Sequence, residues 1–264
     1  MKKLFLCDID GTIIDGSRNM REISDKTKYA ISELSKDNYV FIASGRCKGL
    51  LEQQILDLNT NGFILCNGAY IEADGKEIYS TCFDKDTVEK IKDVSLGNNG
   101  FYVFESLNRM FVNDLKAPQF IKFLQGWGKC IEGFESSPMH DGKYHIAMIG
   151  FSREEDCLNC EKQMGNIATL ARHNKFMSYD VNINGINKGV AAKKAMEYLN
   201  INIEDSYCFG DGINDLEMLQ AVGHPVMMAN ADDRLKDYNF DVADDVLNDG
   251  FYNYLVAHKL IKPL

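Results

Sequence analysis

The chain has 264 residues, of which 45% are apolar and 26% are charged. These proportions are typical of globular proteins and exclude a disordered chain, which has few apolar and aromatic residues. No window approaches the roughly 18 consecutive apolar residues that a membrane-spanning helix requires. The apolar run within residues 1–7 is too short for a signal peptide. We therefore expect a cytoplasmic protein of one or two domains, with no membrane partner.

The balance of charge excludes another class of partner. The chain has 29 Lys and Arg residues against 39 Asp and Glu residues, a net charge of −10. Nucleic acids and anionic membranes attract basic surfaces, and no dense Lys/Arg cluster is present. We therefore expect no nucleic-acid partner. A small anionic substrate remains compatible, because a local site of a cation, a Lys and backbone amides can bind it.

The eight cysteines are scattered along a chain that is long enough to build a core without disulfides. Reduced thiols in a cytosolic compartment are therefore expected. Cys157 and Cys160 have the C-x-x-C spacing of redox and zinc sites. No second pair accompanies them, and the charged residues around them indicate a solvated helix. We expect neither a metal nor a redox role for this pair.

The first 82 residues alternate short apolar runs with helical patterns. Strands are predicted at 4–7, 39–43 and 63–66, and helices at 22–37 and 47–59. This alternation indicates right-handed βαβ crossovers and a parallel sheet that is covered on both faces. Asp74 and Gly75 then predict a tight hairpin.

The last part of the chain returns to the same alternation. Helices are predicted at 189–199 and from about 214, and strands at 206–209, 225–228 and 240–243. The sequence between these blocks has a different character, with predicted helices at 84–95, 117–126 and 153–170 and predicted strands at 101–104, 109–113, 143–151 and 175–181. Such a mixture is typical of an α+β domain. We therefore expect a discontinuous domain, 1–82 plus 182–264, interrupted by an α+β domain at 83–181.

Two carboxylates follow the first predicted strand. Asp8 and Asp10 are two residues apart, so in an extended segment their side chains point the same way. Gly11 permits the sharp exit that a side chain would obstruct. The carboxyl ends of strands are where open α/β sheets bind their ligands. Taken alone, the motif fits either a two-carboxylate site or a solvated strand end.

A second acidic cluster, G-D-G-x-N-D at 210–215, follows the predicted strand 206–209. Carboxylates at two neighbouring strand ends, with positions left for water and phosphate oxygens, suit Mg²⁺ better than zinc or calcium. A structural interpretation is compatible with this one. In it, Asn214 is the N-cap of the following helix and Asp215 is a first-turn acid that the helix dipole favours.

Two further segments complement the acidic clusters. Ser44, Gly45 and Arg46 end the second predicted strand with a hydroxyl and a backbone amide that can bind phosphate oxygens. Lys188 follows Asn187 at the start of a predicted helix, where the helix dipole disfavours an ammonium. We therefore interpret Lys188 as the positive charge that an acidic phosphate site needs.

In this order, D-x-D-G-T at 8–12, S-G-R at 44–46, K-G at 188–189 and G-D-G-x-N-D at 210–215 resemble the motifs of the haloacid dehalogenase superfamily. Because the insert falls between the second and third motifs, the chain looks like the Cof-like phosphatases with a type IIB cap. The resemblance covers nearly the whole chain. It implies an α/β fold, with a Rossmann-like parallel sheet core and an inserted α+β cap domain.

The resemblance also implies catalytic roles. Asp8 is the expected nucleophile, which becomes an aspartyl-phosphate. Asp10 is the expected general acid and then general base, and Lys188 neutralises charge. The implied Mg²⁺ ligands are the Asp8 carboxylate, the Asp10 backbone carbonyl and Asp211, with Asp215 in support.

The resemblance also implies which residues contact the substrate. Ser44, Gly45, Lys188 and Asn214 are the expected phosphate-binding residues. The insert is the expected lid that selects the leaving group. Arg46, Arg109 and His145 are candidates for substrate contact.

The leading hypothesis is a Mg²⁺-dependent phosphatase that hydrolyses a small phosphorylated metabolite, with a sugar phosphate as the expected substrate. Two alternatives remain: a phosphomutase that returns the phosphoryl group to a sugar, and a module that binds a phosphorylated metabolite without turnover. Asp10 counts against the binding module, which has no need of an acid–base group. The sequence leaves the physiological substrate and the oligomeric state open.

Overall fold

The computed structural model describes residues 2–127, 131–136, 142–173 and 176–264. Its strands, in chain order, are β1 (Leu4–Cys7), β2 (Tyr39–Ala43), β3 (Gly62–Leu65), β4 (Tyr70–Ala73), β5 (Lys76–Ser80), β6 (Phe101–Glu105), β7 (Met110–Val112), β8 (Phe134–Ser136), β9 (Ile146–Gly150), β10 (Thr169–Arg172), β11 (Ser178–Asn182), β12 (Ser206–Gly210), β13 (His224–Met228) and β14 (Asp241–Ala243). Its α-helices are α1 (Asp25–Asp37), α2 (Gln53–Leu56), α3 (Lys85–Gly97), α4 (Pro118–Trp127), α5 (Glu154–Met164), α6 (Lys188–Leu199), α7 (Leu216–Leu219) and α8 (Gly250–Ala257).

The chain divides into two compact units. The first consists of Met1–Gly45, Leu51–Tyr79 and Asn187–Leu264, and the second of Arg46–Leu50 and Ser80–Ile186. The short segment after β2 belongs to the second unit, where the amide of Gly49 donates to the carbonyl of Leu107 at 3.0 Å.

The first unit is built on an eight-stranded sheet with the order β14-β13-β12-β1-β2-β3-β4-β5. The strands from β14 to β3 pair in parallel, and β4 pairs antiparallel with β3. The predicted hairpin is confirmed: Asp74 and Gly75 connect β4 to β5 with φ values of 47° and 72°. Such left-handed backbone is what a tight hairpin turn requires.

Helices cover both faces of this sheet, as the alternating sequence pattern predicts. On one face, Leu4 and Leu6 pack in an apolar cluster with Ala191 and Ala195 of α6. On the other, the ring of Phe209 lies edge-on to Phe251 of α8, with the ring centroids 4.7 Å apart. All four residues of β1 are buried for this reason. At about 25 cal/mol per Å² of apolar surface removed from water, such burial is the main stabilising term.

Two predicted helices differ from the structure. The helix expected over 47–59 is wrong, because the segment contains only a 3-10 turn, Lys48–Leu50, and the single turn of α2. Glu52 between them has extended backbone, with ψ at 149°. The helix expected over 153–170 is too long. Helix α5 ends at Met164, and β10 follows because its backbone pairs with β11.

The second unit is built on a six-stranded sheet with the order β10-β11-β9-β6-β7-β8. Its neighbouring strands are antiparallel except β7 and β8. An apolar cluster on one face joins α3 and α5 to the sheet. It includes Ile91, Phe104, Ala147, Cys157 and Cys160.

The two cysteines of the C-x-x-C pair lie in the core of the second unit. Cys157 and Cys160 are free thiols, and both are fully buried. Burial raises the pKa of Cys160 to about 12, which keeps the thiol protonated and poorly nucleophilic. The two residues therefore pack the core of the second unit.

None of the helices in the described part of the chain has the length and apolar composition needed to cross a bilayer.

Candidate active site

The order of the strands in the first unit brings three motifs to one edge of the sheet. Strand β1 lies between β12 and β2, and Cys7 pairs with Phe209 on one side and with Ile42 on the other. All three strands run in the same direction, so their carboxyl ends are neighbours. Asp8, Asp211 and Ser44 follow those ends directly.

Lys188 is the centre of an ion-pair network. It is completely buried, and its Nζ donates to Asp8 Oδ1 and to Asp215 Oδ1, in both cases at 2.6 Å. The preceding residue, Asn187, caps α6 by accepting from the amide of Val190 at 2.8 Å. Burial acts to lower the pKa of Lys188, but Asp215 and Asp8 outweigh it and raise that pKa above its ordinary value. The side chain is therefore a permanent ammonium.

Asp215 also determines the shape of the loop at 211–215. Its second oxygen, Oδ2, accepts from the amides of Asp211 at 3.1 Å and Gly212 at 2.9 Å. The loop folds back as a 3-10 turn, Ile213–Asp215, that leads into α7. The N-cap residue of α7 is Asp215, so the expectation that Asn214 is the N-cap of the following helix is wrong. The carboxylate of Asp215, and not the side chain of Asn214, binds the free backbone amides at this turn.

Three carboxylates at this edge offer a metal site. Asp8, Asp211 and Asp215 each present an oxygen, and these atoms all lie within 4.8 Å of one another. Burial and the Asp215 carboxylate raise the pKa of Asp8 to about 7. Burial and the Asp8 carboxylate raise the pKa of Asp211 to about 9. The three carboxylates repel one another, and the single ammonium of Lys188 does not cancel that repulsion. Carboxylate oxygens are hard donors, so this cluster fits a divalent cation such as Mg²⁺.

Gly11 allows the two acidic loops to approach. Its φ is +82°, and a Cβ at this position would lie 2.0 Å from Asp211 Oδ2. The hydroxyl of the next residue, Thr12, donates to Asp211 Oδ1 at 3.5 Å. The G-T of the first motif therefore holds the first acidic loop against the second. The sequence predicted the turn at Gly11 but not this contact.

A turn at Cys66–Gly68 lies against two of the predicted phosphate-binding segments. The amide of Asn67 donates to the carbonyl of Ser44 at 3.2 Å. A Cβ on Gly45 would lie 2.9 Å from Asn67 Oδ1, and one on Gly68 would lie 2.4 Å from the Asn187 carbonyl. This turn therefore connects the Ser44 segment to the start of α6. The turn lies outside the four sequence motifs.

The remaining predicted residues are placed as follows. Asp10 and Asn214 are exposed in the first unit. Arg46, Arg109 and His145 belong to the second unit. There, Arg109 Nε donates to Glu135 Oε1 at 2.7 Å. His145 is buried, and its Nε2 is hydrogen-bonded to the Ser80 hydroxyl at 3.0 Å.

Comparisons with known proteins identify the family of the chain. A family model described as haloacid dehalogenase-like hydrolase matches residues 5–255. YkrA of Bacillus subtilis (strain 168), which is named as a candidate phosphatase, is 30% identical over 253 residues that cover 94% of each chain. YcsE of the same organism, named 5-amino-6-(5-phospho-D-ribitylamino)uracil phosphatase, is 26% identical over 94% of this chain and 92% of its own.

The fold of the whole chain is also found in solved structures. The structure of BT4131, described as a sugar phosphatase of HAD subclass IIB, superimposes with a TM-score of 0.80. The match covers 99% of this chain and 100% of BT4131, at 22% identity. The predicted α/β fold with an inserted domain is therefore confirmed.

Proposed function

The chain belongs to the family of haloacid dehalogenase-like hydrolases and is a phosphatase of small phosphorylated metabolites; from that premise, we propose that it hydrolyses a sugar phosphate with Mg²⁺ through a phosphorylated Asp8. The observation that carries this proposal is the buried ammonium of Lys188 between Asp8 and Asp215, beside the carboxylate of Asp211.

The first requirement of the reaction is charge neutralisation, because a phosphate monoester dianion repels a carboxylate nucleophile. Lys188 supplies one fixed positive charge in contact with Asp8. Mg²⁺, when held by Asp8, the backbone carbonyl of Asp10 and Asp211 with Asp215 in support, would withdraw charge from the phosphoryl oxygens. Ser44, Gly45 and Asn214 are proposed to donate hydrogen bonds to those oxygens.

The two chemical steps then use two carboxyl groups. An oxygen of Asp8 attacks phosphorus and the ester P–O bond breaks, while Asp10 donates its proton to the leaving alkoxide. In the second step, Asp10 accepts a proton from the water that attacks the aspartyl-phosphate. Inorganic phosphate leaves, and Asp8 is regenerated. Asp10 is exposed, as a group that exchanges protons with substrate and water must be.

The proposal extends to the organisation of the chain. We assign 1–82 plus 182–264 as the catalytic core and 83–181 as the cap that selects the leaving group. Arg46, Arg109 and His145 are its candidate contacts with substrate. The name of YcsE specifies a phosphate ester of a ribityl chain, a polyhydroxylated alkyl group. That chemistry supports an alkyl phosphate rich in hydroxyls as the substrate class. The free thiols of the described residues support a reducing, cytoplasmic compartment.

The test is phosphate release from a panel of sugar phosphates, nucleotides and cofactor phosphates, with Mg²⁺ and with EDTA. The wild type is compared with Asp8→Asn and with Asp37→Asn, an exposed position at the end of α1. We expect metal-dependent release that Asp8→Asn abolishes and Asp37→Asn preserves. Turnover that persists in Asp8→Asn would remove Asp8 from the nucleophile role.

The same samples distinguish hydrolysis from transfer. Mass spectrometry after an acid quench should show one phosphoryl group on the peptide that contains Asp8. Product analysis should show free phosphate and free sugar. Recovery of a sugar phosphate isomer in their place would identify a phosphomutase.

A further inference from the structure

The loop at 229–232, which follows β13, contacts both acidic loops of the active site. The side-chain amide of Asn230 donates from Nδ2 to the carbonyl of Gly11 at 2.7 Å. The backbone amide of Asp232 donates to the carbonyl of Asp211 at 2.8 Å. Neither residue belongs to the four motifs. The loop therefore links the segment that carries Asp8 and Asp10 to the segment that carries Asp211.

Asn230 is itself held from the other side. Its Oδ1 accepts from the amide of Val246 at 2.9 Å, and Val246 is buried. The neighbouring Asp245 accepts two hydrogen bonds at 2.9 Å from the guanidinium of Arg18. The amide of Ala229 donates to the carbonyl of Ala243 at 2.9 Å, at the end of β14. These contacts anchor the side chain of Asn230 at both ends.

The carbonyl that Asn230 holds belongs to the residue after Asp10. Gly11 has left-handed backbone, and its amide donates to the carbonyl of Ile14 at 2.7 Å. Without a Cβ, glycine can rotate its peptide groups more freely than other residues. The Ile14 carbonyl therefore holds the peptide between Asp10 and Gly11, and Asn230 holds the peptide between Gly11 and Thr12. With both of its peptides bound, Gly11 restricts the backbone that carries Asp10 and with it the direction of the Asp10 side chain.

We propose that Asn230 is a positioning residue for the acid–base step, which orients Asp10 by holding the carbonyl of Gly11. This inference rests on the proposed function. A misplaced general acid fails to protonate the leaving oxygen, and general acid catalysis contributes typically about 10²–10⁴-fold to rate. The loss depends on the ester, because p-nitrophenolate leaves without a proton whereas the alkoxide of a sugar phosphate does not.

The experiment compares kcat/KM for p-nitrophenyl phosphate and for the sugar phosphate that the wild type hydrolyses fastest, both at saturating Mg²⁺. In Asn230→Ala we expect the ratio of sugar phosphate to p-nitrophenyl phosphate to fall by about tenfold or more. The ratio is measured within one preparation, so the folded fraction cancels.

The matched control is Asn253→Ala. Asn253 also donates two side-chain hydrogen bonds in the first unit, to Asp244 Oδ2 and to the Asn248 carbonyl, both at 2.9 Å. Neither partner belongs to the two acidic loops. We expect its ratio to equal that of the wild type.

A second variant tests the inference if Asn230→Ala does not fold. Asn230→Asp keeps an acceptor for the amide of Val246 but places an oxygen against the Gly11 carbonyl. We expect the same fall in the ratio. Equal losses for both esters, or an unchanged ratio in either folded variant, would overturn the inference while leaving the proposed function intact. Turnover by Asp8→Asn at the wild-type rate would contradict the proposed function. If the wild type hydrolyses neither ester, the inference and the proposed function are both overturned.

Discussion

The ammonium of Lys188 and the carboxylate of Asp8 form a buried ion pair with 2.6 Å between Nζ and Oδ1. Lys188 begins a helix that is distant in sequence, 180 residues after Asp8. Asp215 binds the same ammonium, also at 2.6 Å. A single cation thus connects the proposed nucleophile to the loop that carries the proposed metal ligands.

The first prediction concerns this ammonium. Lys188→Met leaves the buried carboxylates of Asp8 and Asp215 without their cation. Removing one partner of a buried ion pair typically costs about 3–5 kcal/mol. We expect a lower Tm by differential scanning calorimetry and no detectable phosphate release at neutral pH. Lys193→Met, at an exposed position of the same helix, should change neither. Normal turnover by Lys188→Met would contradict the proposed role of the ammonium.

The second prediction concerns the closeness of the two acidic loops. Gly11→Ala introduces a methyl group 2.0 Å from Asp211 Oδ2 at a φ of +82°. We expect a loss of about 1–3 kcal/mol in the free energy of unfolding from backbone strain, and weaker Mg²⁺ binding because the loops must separate. Gly16→Ala is the control, since nothing lies within 4 Å of its added Cβ. Urea titrations of both variants measure the difference, and equal midpoints would contradict the predicted clash.

The third prediction concerns metal removal. Mg²⁺ that binds the folded chain alone stabilises it by RT ln(1 + [Mg²⁺]/Kd). We expect Mg²⁺ to raise the Tm of the wild type and EDTA to reverse the rise. Asp211→Asn removes a carboxylate from the proposed ligand set, so its Tm should respond little to Mg²⁺. Asp237→Asn, at an exposed position, should respond as the wild type does. A full Mg²⁺ response in Asp211→Asn would place the metal elsewhere.

The fourth prediction concerns the stability of the second unit as a function of pH. Burial and the Asp180 carboxylate raise the pKa of Glu105 to about 8. In the unfolded chain the pKa of a Glu side chain is about 4.3. Between these two values the folded chain retains a proton that the unfolded chain has released, so stability falls as the pH rises and levels off above the folded value.

Glu105→Gln removes this titration. We expect its Tm, measured from about pH 5 to pH 9, to fall less with rising pH than that of the wild type. Glu155→Gln, at an exposed position of α5, is the control and should parallel the wild type. A wild-type slope that Glu105→Gln leaves unchanged would show that another group is responsible.

Much of the candidate site could be predicted from local sequence. Asp8 and Asp211 were placed at strand ends because a short apolar run precedes each of them. Lys188 was identified because an ammonium at a helix start opposes the helix dipole. These arguments need only the pattern within a few residues and the rule that parallel strands end at the same edge.

Other residues required the folded structure. Asn230 also follows a strand end, so the rule that found Asp211 was applicable to it. Nothing local, however, indicates that its amide reaches the carbonyl of Gly11, which is 219 residues away in sequence. The helix expected over 47–59 failed for a related reason. The amide of Gly49 pairs with the carbonyl of Leu107, a contact that helical spacing does not encode.

The sequence by itself determined the class of fold, the strand ends that carry chemistry and the residue types that this chemistry requires, because these depend on hydrophobic periodicity and on local backbone preference. Only the tertiary structure decided which side chains meet: Lys188 with both Asp8 and Asp215, and Asn230 with Gly11. The physical reason is that these contacts depend on strand order and loop packing, which bring together residues from opposite ends of the chain.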